Sequence, residues 1–93
     1  MRFHVYLIMA KTRDKYISYV GYTKDINKRI LLHNSSKGAK FTKGNKWFVI
    51  YKKSYTSKVI AMKEEYKLKK DYNLRSKIKK IYLKNENINT FTL

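Results

Sequence analysis

The chain contains no cysteine, no proline and three glycines, and only six of its 93 residues are carboxylates. Without cysteine there can be no disulfide framework and no thiolate zinc site, and a reducing, intracellular setting is expected. Without proline there is no Pro-rich linker. No apolar run approaches the ~18 residues that a membrane-spanning helix needs. Val5–Ala10 is short, is broken by Tyr6 and lacks a small-residue cleavage motif, so neither a targeting peptide nor a membrane partner is expected. The length allows one domain, because a chain this short buries only about 60–65% of its unfolded surface and can build one small core. We expect that domain over residues 1–84, with a short polar tail over 85–93.

Against these absences stand 23 Lys and Arg, which give a net charge of +17. Self-repulsion on this scale disfavours a compact state unless a polyanion is at hand. Lys outnumbers Arg 19 to 4, as AT-rich codons would produce. Codon bias does not account for the scarcity of carboxylates, whose codons can also be AT-rich. Nucleic acid therefore fits better than an anionic membrane. Hydrophobic content of 43%, with 15% aromatic, is enough for a packed core.

Local pattern predicts an α+β order of β-β-α-β-α-α. Phe3–Met9 and Tyr16–Tyr22 are β-rich and joined by a short polar turn, so they form antiparallel strands, the first buried on both faces. Thr23 or Asp25 can cap a helix over Asp25–Asn34. A polar loop over Ser35–Asn45 leads to a third strand, Lys46–Lys53. Ser57 starts a second helix that runs to about Lys70, and Asn73 caps a third. The Asn-rich tail Asn85–Leu93 has a β-like end at Asn89–Leu93. One small three-stranded antiparallel sheet flanked by helices is the layer arrangement that fits, with the first strand central.

Two helical stretches carry polar groups where the period calls for apolar ones. With Ile26 at 0° on a helical wheel, Ile30 falls at about 40°, His33 at about −20° and Arg29 at about −60°. Arg29 and His33 thus lie on or beside the inward face. A snorkelling Arg and a satisfied boundary His would also account for them. In the second helix Glu65 falls about 40° from Ala61, inside the stripe made with Leu68 and Tyr72, whereas Glu64 sits nearer the rim. A carboxylate on that face needs a partner or a metal. Tyr6 and Tyr19 lie in the first two strands as core aromatics whose hydroxyls need partners. Gly21 can mark the close approach of a ligand or of another backbone. Lys37, Lys40 and Lys43, with Phe41 between them, suit a phosphate backbone and a stacked base.

In order along the chain, these residues resemble the GIY-YIG nuclease domain, in its short single-domain form. The first motif survives as the tyrosine of His4-Val5-Tyr6. The second is Tyr19-Val20-Gly21, with Val in place of Ile. The run Y-T-K-D-I-N-K-R-I-L-L-H-N from Tyr22 to Asn34, the loop G-A-K-F-T from Gly38 to Thr42, and Glu65 followed by Leu68-Lys69 complete the set. The resemblance spans Phe3 to about Ile81 and implies metal-dependent endonucleolytic hydrolysis of DNA, with one Mg²⁺ (or Mn²⁺) ion on Glu65. It implies Arg29 as stabiliser of the charged phosphate and Tyr6 as base or base relay. Tyr19 would orient the water or phosphate, and His33 would touch Tyr6 or the phosphate. Which of Tyr6, Tyr19 and His33 is the base stays open. A phenol in that role needs a lowered pKa, which Arg29, lysines and the metal are expected to provide. Gly21 would admit the DNA backbone, and Lys24, Lys28, Lys37, Lys40 and Lys43 would hold phosphates. The rival expectation is a non-catalytic basic nucleic-acid-binding module or an accessory subunit of a larger nuclease.

Overall fold

The computed structural model describes residues 2–13 and 15–92, with side chains as far as residue 85. Strands β1 (Phe3–Lys11), β2 (Tyr16–Thr23) and β3 (Phe48–Tyr55) form one antiparallel sheet in the order β2-β1-β3. Helices α1 (Ile26–Asn34), α2 (Lys58–Lys70) and α3 (Tyr72–Thr92) complete the α+β architecture, and a 3₁₀ turn at Lys40–Thr42 lies inside the loop after α1. The expected element order and the central first strand are both present.

A central strand is covered on both faces, and β1 is apolar throughout for that reason: every residue from Val5 to Ala10 is buried. Its alternation sorts the core into two halves. Val5 and Leu7 pack with Val20 and with Ala61 and Leu68 of α2. Tyr6, Ile8 and Ala10 pack on the other face with Trp47, Tyr19, and Ile26 and Ile30 of α1. Burying each large side chain contributes roughly 1.5–3 kcal/mol. The pairing of β1 with β3 slips by one residue between Leu7 and Ile8, since Leu7 faces Tyr51 and Ile8 faces Val49. Pairing with β2 is unbroken, with Tyr6 opposite Gly21 and Ile8 opposite Tyr19.

The caps are local and read mostly from sequence. Asp25 Oδ1 accepts from Lys28 N at 3.1 Å, and Ser57 Oγ accepts from Ile60 N at 3.3 Å. The third cap differs from expectation. Asp71, one residue beyond the end of α2, accepts from Leu74 N at 3.0 Å, so α3 begins at Tyr72 and Asn73 is already inside it. The tail also differs. No Gly or Pro follows Tyr72 to stop the helix, and the backbone is helical to Thr92 where a β-like end was expected. Leu93 lies outside the described residues.

Candidate active site

The site is built around the Tyr6 phenol. Tyr6 and Gly21 are cross-strand partners on one face of the sheet, and the phenol lies across the glycine. A Cβ at Gly21 would stand 2.3 Å from Tyr6 Oη and 2.5 Å from its Cζ. The close approach that this glycine permits is therefore that of the Tyr6 ring. Tyr19 lies one pair further along the same face, opposite Ile8.

Helix α1 brings His33 onto that face, fully buried. Its Nε2 is 2.8 Å from Tyr6 Oη, and its ring meets the Tyr19 ring edge-on at a centroid distance of 5.3 Å. On its far side Nδ1 is 2.8 Å from Thr42 Oγ1, and the Thr42 hydroxyl donates to the Ala39 carbonyl at 2.8 Å. Gly38 makes room for this packing, since a Cβ there would fall 2.5 Å from His33 Nδ1. Trp47 braces the loop: its indole Nε1 donates to the Thr42 carbonyl at 2.7 Å. The Asn34 side chain in turn accepts from Trp47 N and donates to its carbonyl.

Arg29 and Glu65 act on the same phenol from helices on opposite faces of the sheet: the Arg29 guanidinium hydrogen-bonds to Tyr6, whereas Glu65 acts through its charge alone. Beside β2 a cavity of about 300 Å³ is lined by Ser18, Tyr19, Val20, Phe41, Lys69 and Arg75. Lys69 Nζ stands 3.5 Å from Glu65 Oε1. Burial pushes the Tyr6 phenol above its ordinary value; the Arg29 guanidinium pulls the other way, and Tyr19 and Glu65 add to the rise. Without a metal, desolvation outweighs the neighbouring cation. Burial, then Arg29, holds His33 below its ordinary value. The Nε of Arg29 is buried and has no hydrogen-bond partner. Glu64 faces elsewhere: it pairs with Lys67 at 3.5 Å and acts on Tyr55.

Tyr6, Tyr19 and His33 thus touch, and Arg29 and Glu65 act on Tyr6. Lys24, Lys28, Lys37, Lys40 and Lys43 are all exposed, and Lys24 sits 5.7 Å over the Phe3 ring. Among the described residues no three His, Cys, Asp or Glu side chains cluster as a metal cage. Both His33 nitrogens are engaged, which leaves a carboxylate as the donor. That set suits a hard cation such as Mg²⁺, which accepts one carboxylate and fills its remaining positions with water and phosphate oxygens. Thr42, Asn34 and Trp47 also belong to the site, although neither residue type nor period sets them apart in the sequence. Thr42 and Asn34 stand inside the motifs quoted above, which was the available signal.

The GIY-YIG catalytic-domain family model matches residues 2–81. A UPF0213 protein of Staphylococcus epidermidis is 44% identical over 64 residues, covering 68% of this chain and 77% of that protein. A UPF0213 protein of Staphylococcus haemolyticus is 38% identical over 77 residues, covering 82% and 92%. The solution NMR structure of a UPF0213 protein from Bacillus halodurans has 31% identity and a TM-score of 0.48, covering 87% of this chain and 85% of that one. By the extent of the family match and the identity of these relatives, the chain belongs to the GIY-YIG family.

Proposed function

We propose that this chain is a divalent-metal-dependent endonuclease that hydrolyses DNA phosphodiester bonds at the Tyr6 site. The observation that carries this reading is the Arg29 guanidinium beside the Tyr6–His33 pair, hydrogen-bonded to the Tyr6 phenol and with its buried Nε left without a partner. A buried donor without a partner costs about 1–3 kcal/mol, and a phosphate oxygen arriving at that point removes the cost. In this reading the cation stands beside the phenol before substrate arrives, as electrostatic stabilisation of a phosphorane-like transition state requires.

In this reading the scissile phosphate lies against Arg29, whose charge answers the negative charge gathering on the nonbridging oxygens. Glu65 would hold the metal, loosely paired as it is with Lys69. One bound Mg²⁺ or Mn²⁺ ion supplies a second positive charge for those oxygens. Tyr6 would take a proton from the attacking water and needs an outlet for its own, because a phenol is neutral at rest and burial favours that form further. His33 is the group in contact with its hydroxyl. Tyr19 packs on His33 and keeps the imidazole in place. The exposed lysines of α1 and of the following loop hold flanking phosphates by charge alone.

Incubation of plasmid, branched and flap DNA with Mg²⁺, Mn²⁺ or EDTA tests the reading. Cleavage is expected with either metal and not in EDTA. Arg29→Ala is expected to lower the rate by about two to three orders of magnitude, the scale for one lost oxyanion donor, with some loss of binding. DNA binding without cleavage of any substrate under any metal would make the chain a binding module instead.

A further inference from the structure

Three hydrogen bonds in series join the loop after α1 to the Tyr6 phenol, and valence fixes their directions. The Ala39 carbonyl can only accept, so the single hydroxyl proton of Thr42 is spent on it at 2.8 Å. Thr42 Oγ1 can then only accept from His33 Nδ1, 2.8 Å away, so Nδ1 carries a proton. A neutral imidazole has one N–H, so Nε2 presents a lone pair, and the Tyr6 hydroxyl at 2.8 Å must donate to it.

We propose that Thr42 is a positioning residue that fixes His33 as the Nδ1–H tautomer, so that Nε2 is free to accept the Tyr6 proton when Tyr6 serves as the base that the family resemblance implies. The part of this concerning the reaction rests on the hydrolase reading above; the tautomer does not. As the water oxygen bonds to phosphorus, its proton passes to Tyr6 Oη while the Tyr6 proton passes to His33 Nε2. The bond from phosphorus to the leaving ester oxygen breaks, that oxygen takes a proton from solvent, and the imidazolium returns one to solvent. With the opposite tautomer Nε2 would carry a hydrogen, and the phenol would have nowhere to send its proton.

The surroundings of Thr42 are built to hold this geometry. Its carbonyl is held by the Trp47 indole, and Trp47 is tied through its backbone to Asn34, next in sequence to His33. The helix end and the threonine are therefore parts of one braced unit. Gly38 leaves the space through which His33 Nδ1 reaches Thr42.

The test reads the tautomer directly. His4 and His33 are the only two histidines, so a long-range ¹H–¹⁵N correlation spectrum of ¹⁵N-histidine-labelled protein, assigned with His4→Gln, resolves His33. Above pH 6.5, where lowering of its pKa leaves the ring neutral, His33 is expected to show a protonated Nδ1 and a bare Nε2. A protonated Nε2, or a mixture, overturns the proposal whether or not the protein cuts DNA. Thr42→Val keeps the shape and removes the hydroxyl. It is expected to mix the tautomers and lower kcat by roughly ten- to a hundredfold, the scale for losing a histidine's orienting partner, with KM unchanged. Thr42→Ser is expected to restore both tautomer and rate. A Thr42→Val protein with the Nδ1–H form and full kcat overturns the proposal. If that variant fails to fold, the wild-type and Thr42→Ser spectra still decide. A wild-type Nδ1–H tautomer without cleavage on any DNA sinks the hydrolase reading and leaves the hold of Thr42 on His33 supported.

Discussion

Gly21 matters for the atom it lacks. The Tyr6 ring fills that space and is itself pinned by His33, so it cannot swing aside at little cost. Gly21→Ala should destabilise the fold by about 1–3 kcal/mol, as overpacking of a tight site does, measurable by urea denaturation. It should also separate Tyr6 from His33 and depress cleavage beyond the stability loss. His33 gives a pH signature. Its folded pKa lies below the ordinary 6.5 because burial and Arg29 disfavour the imidazolium. The unfolded chain therefore binds the extra proton first as pH falls, so stability is fully present above 6.5 and is lost progressively below it. A thermal melt series from pH 8 downward should show this loss, and His33→Gln should flatten it. Arg29, His33 and Glu65 were legible from sequence because each is a polar group on an inward helical face, where period makes it conspicuous. Thr42 was not. It is small, sits in a loop without period, and matters only through a histidine nine residues away.

Among the elements, β1 was the easiest to read, since six consecutive buried residues from Val5 to Ala10 admit no solvent face. The helix ends were harder, because neighbouring polar residues compete for the same capping role. At α3, sequence favoured Asn73, and Asp71 holds the position, with Oδ1 accepting from Leu74 N. Asp71→Ala should therefore cost about 1 kcal/mol in a denaturation experiment, the usual worth of a cap, while Asn73→Ala should be close to neutral. Equal effects would return the cap to Asn73. The opposed placement of α1 and α2 was also hidden. A wheel shows that Glu65 faces inward, but not that α2 covers the face of the sheet opposite to the one α1 covers.

At the scale of the molecule the +17 charge sets how DNA would be held in the proposed function. Affinity should fall steeply with salt, with log K declining against log[salt] at a slope of about −0.9 per phosphate contacted on duplex DNA. Lys37→Gln with Lys40→Gln should reduce that slope and weaken all sequences alike; an unchanged slope would take these lysines out of the interface.

The central claim is that one carboxylate, Glu65, serves the chemistry of the Tyr6 site. Its neighbour Glu64 pairs with Lys67 and acts on Tyr55 instead, so the two residues form an internal control. The direct measurement is the single-turnover cleavage rate of Glu65→Gln against Glu64→Gln with Mg²⁺, with DNA affinity taken in parallel. Glu65→Gln keeps the side-chain size and removes a negative charge, so it should bind DNA as well as wild type or slightly better. Its cleavage rate should fall by roughly a thousandfold, or about 4 kcal/mol of transition-state stabilisation, while Glu64→Gln should cut at close to the wild-type rate. A fully active Glu65→Gln, or a dead Glu64→Gln, would contradict the account.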